Sequence, residues 1–322
     1  MIATQISKNV GSVGAVWPPR FDQHNNRVKG FYSELVDSRR KLNSMFRIVS
    51  EIEGQYPTST RTTIRAFVRR ELIEEIQKKP AEDGQLNVEA VVPAENAIPG
   101  YVIAYFGKNA IERTPDPETL KKEMTSLQQV CKIPPISMRE AMARLRVKNY
   151  HITALGQNRQ IRDYDVSRLL ALYREAYERY TFEINERTVL EMLGNGNIVI
   201  VGKNAQSEIV SSLIAEHCTI NLKDGRIVHL YELSDYATFR THRRNGLITA
   251  MQIDAVNIIR RLHPKGDAII YAEDRAAWEA VNISTQKAGF TYCGTLLQHC
   301  VLVSERSFGE QGIYENLHVW TI

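Results

Sequence analysis

Apolar residues recur at helical spacing over residues 27–53, where Phe31, Leu35, Leu42, Met45, Phe46 and Val49 share a face. They do so again over 61–79, through Ile64, Phe67, Val68, Leu72 and Ile76. The spacing predicts two helices, the first stopped by Gly54 and Pro57 and the second by Pro80. Between 85 and 113 the pattern changes to β-branched and aromatic residues around a Pro99-Gly100 turn, which predicts strands. Pro115-Asp116-Pro117 predicts the start of a helix over 118–129, and a basic segment over 138–148 leads into the second half. The first twenty residues, ending in Trp17-Pro18-Pro19, read as a flexible arm.

From Tyr150 onward the punctuation is sharper. Strands are expected at 151–155, 198–201, 208–220, 227–239, 267–272, 292–304 and 314–321. Helices are expected at 186–193, 244–262 and 276–288, with a further one capped by Asp165 and carrying Leu169, Leu172, Tyr173, Ala176 and Tyr177 on one face. Asp224-Gly225 marks a hairpin turn. The expected class is α/β (α+β), with one mixed domain over 1–149 and a second over 150–322.

Composition leaves that picture intact and removes alternatives. The chain has 322 residues, 43% apolar and 24% charged, enough for about two domains with real cores. Cys131, Cys218, Cys293 and Cys300 form no CxxC pair, and free thiols suit a cytoplasmic location. No apolar run approaches the ~20 residues of a membrane span, and nothing in 1–19 reads as a secretory signal. A net charge of +4 is too small and too dispersed to argue for nucleic acid. His217, His229, His242 and His299 show no spacing that would clip a metal, so none is expected.

The chemistry concentrates over residues 232–251: a strand, a basic turn containing Gly246, then a helix with no linker. A helix start offers unpaired N–H groups and the positive end of a dipole, which together hold phosphate. Arg243 and Arg244 add charge, and Gly246 lets backbone approach closely. An ordinary strand-to-helix connection reads the same way, so the segment alone leaves both open.

The order of elements around it resembles the Gcn5-related N-acetyltransferase (GNAT) superfamily. Thr241-His242-Arg243-Arg244-Asn245-Gly246 stands where that superfamily carries Gln/Arg-x-x-Gly-x-Gly/Ala, and Lys287-Ala288-Gly289-Phe290 matches its K-x-G-F mark. Thr241, Arg244 and Ile248 depart from the usual residues. Glu232 to Thr238, Asn282 with Gly289-Phe290, Gly294 to Leu297, and Leu317 to Trp320 resemble the β-lysine N-acetyltransferases within it.

The resemblance implies a GNAT acyl-CoA N-acyltransferase fold, a mixed and mostly antiparallel sheet flanked by helices, preceded by an additional mixed domain. It implies acetyl-CoA as cosubstrate, no metal, and a small-molecule primary amine as acceptor, β-lysine or another diamino acid. A protein or peptide amine, or a non-catalytic module binding coenzyme A, is the alternative. A homodimer is compatible with this reading, and neither nucleic acid nor membrane is expected as a partner.

The implied cofactor contacts are Ala237, Thr238, Phe239, Arg243, Arg244, Asn245, Gly246, Leu247, Ile248 and Asn282. Glu232 is either the base or substrate anchor, or a paired structural carboxylate. Asp235 either holds the strand beside the cofactor or binds the substrate ammonium. Strand alternation sends Glu232 and Asp235 to opposite faces. Thr285 replaces the tyrosine that usually protonates the leaving thiolate, which leaves Tyr292, Tyr236 or water for that role. Acidic Glu273, Asp274 and Glu315 are candidates for attracting a diamino acid.

Overall fold

A computed structural model describes residues 20–22, 25–78, 86–109, 113, 115–155, 163–177, 184–194, 196–222, 224–301 and 314–322. The expected N-terminal arm, Pro80, Lys223 and residues 302–304 lie outside them.

The strands are β1 (Arg20–Asp22), β2 (Arg27–Val36), β3 (Arg61–Arg69), β4 (Asn87–Pro93), β5 (Tyr101–Asn109), β6 (His151–Leu155), β7 (Ile198–Lys203), β8 (Ile209–Asn221), β9 (Ile227–Thr238), β10 (Ala268–Arg275), β11 (Thr291–Val301) and β12 (Tyr314–Thr321). The helices are α1 (Arg39–Glu53), α2 (Arg70–Gln77), α3 (Pro117–Val130), α4 (Met138–Val147), α5 (Asp163–Ala176), α6 (Glu186–Leu193), α7 (Leu247–Leu262) and α8 (Glu279–Lys287).

One sheet joins all the strands in the order β1-β2-β3-β5-β4-β11-β12-β10-β9-β8-β7-β6. It is antiparallel except at β2–β3 and β9–β10. The mixed, mostly antiparallel sheet of the second half is therefore as expected, with α7 crossing from β9 to its parallel neighbour β10.

Two expected helices begin as strands. Residues 27–36 and 61–69 pair with each other in parallel, and helix starts only at Arg39 and Arg70. Both sheet faces are covered here, so Phe31 and Phe67 enter one core while Tyr32, Ile64 and Val68 enter another. Burial on both faces gives consecutive buried residues instead of alternation, and that spacing imitates a helix. Asp165 lies inside α5, whose first residue is Asp163, and so does not cap it. The basic segment before Lys148 is the helix α4, capped by the Ser137 side chain.

Four apolar cores follow. The first lies between α3, α4, α7, α8 and one face of the sheet, with Leu127, Val130, Leu145, Met251, Ile259, Phe290 and Trp320 buried in it. By packing, α3 and α4 share the core of the second half although they precede residue 150. A second core lies under α5 and α6, and a third under α1 and α2. The fourth gathers Phe67 and Tyr105 of the first half with Leu230, Tyr271, Leu317 and Val319 of the second.

The halves meet where β4 pairs with β11 at Ala90 and Gly294. A Cβ on Gly294 would stand 2.3 Å from the Glu89 carbonyl oxygen, so only glycine permits this approach. Beside it Arg113, over the Tyr314 ring at 3.5 Å, donates to the carbonyls of Asn25, Gln298 and His299. Buried carbonyls that the ladders leave over are thereby satisfied.

Candidate active site

The pairing of β9 with β10 runs from His229–Ala268 to Leu233–Ala272 and stops there. Beyond it β9 stays with β8, and Glu273, Asp274 and Arg275 stay with β12. The strands part, and residues 234–238 present an edge not paired with β10. A bulge on this edge sets two residues, Asp235 and Tyr236, against Leu213 of β8, and Asp235 takes φ 50°.

The bulge corrects the expectation from strand alternation. Asp235 lies close enough to Tyr173 of α5 and to Tyr177 just after it to push both phenols upward, so it stands on the α5 side of the sheet with Ser234. Burial pushes Asp235 itself up to about 7. Tyr236 turns instead toward α7. Its hydroxyl donates to the Leu233 carbonyl at 2.8 Å and accepts from Gln252 Nε2 at 3.2 Å. Gln252 also reaches Thr285, whose hydroxyl donates to Asp274 at 2.5 Å. Asp274 is 2% exposed, its second oxygen has no partner, and burial pushes it up to about 7.

Glu232 sits just before the strands part. Its Oε2 accepts from the Tyr271 hydroxyl at 2.9 Å and lies 3.8 Å from Nη1 of Arg65. Burial and the neighbouring Glu273 and Glu216 push its carboxyl well above the usual range, against the pull of Arg65 and Tyr271. A glutamic acid so held takes and returns a proton near neutral pH. Arg65, the residue the sequence did not point to, comes from β3. It bonds Tyr271 at 2.9 Å, pairs with Glu273 and lies over the Tyr105 ring.

Below the parting lies the start of α7. A 3₁₀ turn over Arg240–His242 leads to Arg244 at φ 63° and Gly246 at φ 82°. Arg244 thus keeps a backbone conformation that glycine adopts more readily. No side chain caps α7, so the N–H groups of its first turn, beginning with Leu247 and Ile248, are not taken by a cap. The space beside the Gly246 Cα is open for 4 Å.

Two residues from the end of α4 brace this turn, which sequence reasoning missed. Lys148 Nζ donates to Asn245 Oδ1 at 3.0 Å, and Tyr150 joins Asn245 at 3.3 Å and His242 at 2.8 Å. Arg243 Nε donates to the Thr238 carbonyl at 3.2 Å, while Ala237 and Thr238 are fixed to β8 through Ser211. Phe239 lies under the Arg168 guanidinium. Ala237 to Phe239 and Arg243 to Ile248 therefore form one continuous rim. Uncapped N–H groups, left-handed turns and the cations Lys148, Arg243 and Arg244 could hold an anionic group such as a phosphate.

Other expected positions lie elsewhere. Asn282 is 2% exposed; its amide donates both hydrogens to the Arg275 and Trp278 carbonyls and accepts from Trp320, so it holds α8 to the sheet. Tyr292 bonds Thr295 at 2.6 Å and packs on His318 and Trp320, on strands that β10 separates from β9. Glu273 and Glu315 are paired with Arg65 and Arg275, and Asp274 is buried, so none offers a free negative charge to an amine.

Two of the histidines whose sequence spacing gave no reason to expect a metal clip meet in the fold. Nε2 of His217 and Nδ1 of His229, neighbours across the β8–β9 hairpin, are 2.9 Å apart. His299 is buried between Arg61 and Glu273. No described helix is long and apolar enough to cross a membrane.

No family model and no curated protein matches the chain. Among solved structures it is similar to NAA60 of Arabidopsis thaliana in complex with a bisubstrate analogue. Identity is 13%, over 53% of this chain and 97% of that one, with a TM-score of 0.41. It is also similar to the spermidine N-acetyltransferase of Vibrio cholerae in complex with CoA and spermine, at 14% identity, 53% and 94% coverage and a TM-score of 0.38. The ribosomal-protein-S18-alanine N-acetyltransferase of Escherichia coli aligns at 14% identity over 54% and 92%, with a TM-score of 0.34.

Proposed function

We propose that the protein moves an acetyl group from acetyl-CoA to a primary amine by direct attack. The observation that carries this reading is the parting of β9 from β10 directly above the uncapped start of α7, with Glu232 at the fork. Bound acetyl-CoA supplies an activated thioester carbonyl. Leu247 and Ile248 backbone N–H groups, with Arg243, Arg244 and Lys148, hold its phosphates. The edge over 234–238 supplies backbone partners for its amide-bearing arm.

A lysine-type amine is almost wholly protonated at pH 7 and cannot attack until it loses a proton. Glu232 takes that proton at Oε1 or Oε2, directly or through water, and its raised pKa makes it a base of suitable strength. The leaving sulfur takes its proton from water or from Tyr236 on the unpaired edge, whose hydroxyl would first have to release the Leu233 carbonyl.

The favoured acceptor is a small diamino acid such as β-lysine. Arg65 and Tyr105 of the first half wall the Glu232 side of the sheet, and a walled site suits a small amine better than a polypeptide. The test is calorimetry with acetyl-CoA followed by thiol release in the presence of β-lysine, lysine and polyamines. Amine-dependent release supports the reading. Failure to bind millimolar acetyl-CoA overturns it, and binding without release from any amine or peptide leaves a non-catalytic module.

A further inference from the structure

At the far end of β9 from the parting, His229, His263 and Asp267 converge: one donor atom from each, all within 4.8 Å of one another. His229 is on β9, His263 ends α7, and Asp267 immediately precedes β10. The tight turn after α7, with Gly266 at φ 76°, returns the chain so that Asp267 Oδ1 lies 3.1 Å from His263 Nδ1. The Asp267 carbonyl meanwhile accepts from the His229 N–H at 2.9 Å, which locks the two segments together.

The second observation is the outer ring of partners. His229 Nδ1 is held by His217 Nε2 at 2.9 Å, and His263 Nε2 by the Tyr231 hydroxyl at 2.9 Å. Each imidazole thus has one nitrogen engaged by a neighbour, which holds the ring. Nε2 of His229 is left, while Nδ1 of His263 bonds the Asp267 carboxylate, the contact that an ion would replace. Metal-binding histidines are held in this way, with the far nitrogen hydrogen-bonded outside the coordination sphere.

We propose that His229, His263 and Asp267 bind a zinc ion, with water in the fourth position and His217 and Tyr231 orienting the two imidazoles. Two neutral imidazoles and one carboxylate suit zinc better than calcium or magnesium, which take oxygen. Tetrahedral zinc sets its donors roughly 3.4 Å apart, given Zn–N and Zn–O lengths of about 2.1 Å. The donors, within 4.8 Å of one another, would close to that size by side-chain rotation when the ion binds.

The ion would clamp the end of α7 to the starts of β9 and β10. Glu232 is three residues along β9 from His229, roughly 10 Å away at ~3.3 Å per residue, so the ion's role is to hold the scaffold and not to touch the amine.

The test is titration of chelator-treated full-length protein with zinc, read by competition with a chromophoric chelator and by thermal melting. One equivalent should bind, and Tm should rise by ~5 °C with zinc in large excess over Kd. Asp267→Asn and His263→Gln should each weaken binding at least 10-fold, and His217→Phe by ~10-fold through loss of the outer partner. His151→Gln, at an exposed histidine on β6, should leave binding unchanged. The partly exposed Asp267 can be changed without threatening the fold, so that variant decides the matter if the histidine variants fail to fold. Absence of a stoichiometric site in the wild type, or a site that survives Asp267→Asn and His263→Gln, overturns the proposal.

Discussion

Nη1 of Arg65, on β3, lies 3.8 Å from Oε2 of Glu232, on β9, and the same guanidinium is paired with Glu273. A cation from the first half therefore sets the charge balance of the candidate base in the second. The first half is built into the Glu232 side of the site through this side chain and the Tyr105 ring beneath it.

Replacing Arg65 by Gln should raise the Glu232 pKa further, because Arg65 is what draws it down. The acidic limb of kcat/KM should move up by about one pH unit, the scale expected when solvent still reaches both side chains. Arg65→Lys, which keeps the charge, should restore most of the profile. A profile unmoved in Arg65→Gln would separate Arg65 from the chemistry.

Glu232→Gln removes the proton acceptor and keeps the shape. Turnover of the amine should fall by ~10²–10⁴, the usual worth of a positioned base. Calorimetry should find acetyl-CoA binding unchanged, since no residue of the phosphate rim touches Glu232. Full activity in this variant would return Glu232 to the role of a paired structural carboxylate.

Asp274 predicts a pH dependence of stability. Its folded pKa of about 7 stands above the ordinary 3.8, so the folded state binds the extra proton between those values. Stability is then greatest below pH 3.8 as far as this group is concerned, falls as pH rises toward 7, and stays low above it. Asp274→Asn should flatten the difference in Tm between pH 5 and pH 8. An undiminished difference would assign the pH dependence to other groups.

These relationships were legible in the sequence to very different degrees. Gly246 and Asp224-Gly225 could be read because local backbone geometry favours glycine there, and Lys287-Ala288-Gly289-Phe290 through its resemblance to a family mark. The side on which Asp235 stands could not, since it depends on a bulge that shows only in the register with Leu213. Strands β2 and β3 were hidden because cores on both faces abolish the alternation that marks a strand. Arg65 and the histidine cluster were hidden for a further reason: sheet curvature and cross-strand pairing bring together residues whose sequence spacing carries no signal.

The join between the halves predicts a sharp sensitivity at Gly294. Its φ of 146° is foreign to other residues, and a Cβ there would stand 2.3 Å from the Glu89 carbonyl and 2.6 Å from the Ala90 Cα. Neither of those is the yielding end of a side chain, so the strands β4 and β11 must separate. Gly294→Ala should cost about 3 kcal/mol or more, above the usual range for one added methyl in a packed core.

Arg244 offers a way to separate backbone strain from charge in the phosphate rim. It holds φ 63°, a left-handed conformation that costs a residue with a Cβ ~1–2 kcal/mol. Arg244→Gly should therefore raise Tm while weakening acetyl-CoA binding ~5-fold through the lost cation. Arg244→Ala should weaken binding equally without the gain in Tm, because alanine keeps the strain. Melting and calorimetry on the two variants side by side distinguish the terms. Equal affinity for acetyl-CoA in both variants and the wild type would show that Arg244 serves the turn and not the phosphate, and Lys148 and Arg243 would then carry the charge recognition between them.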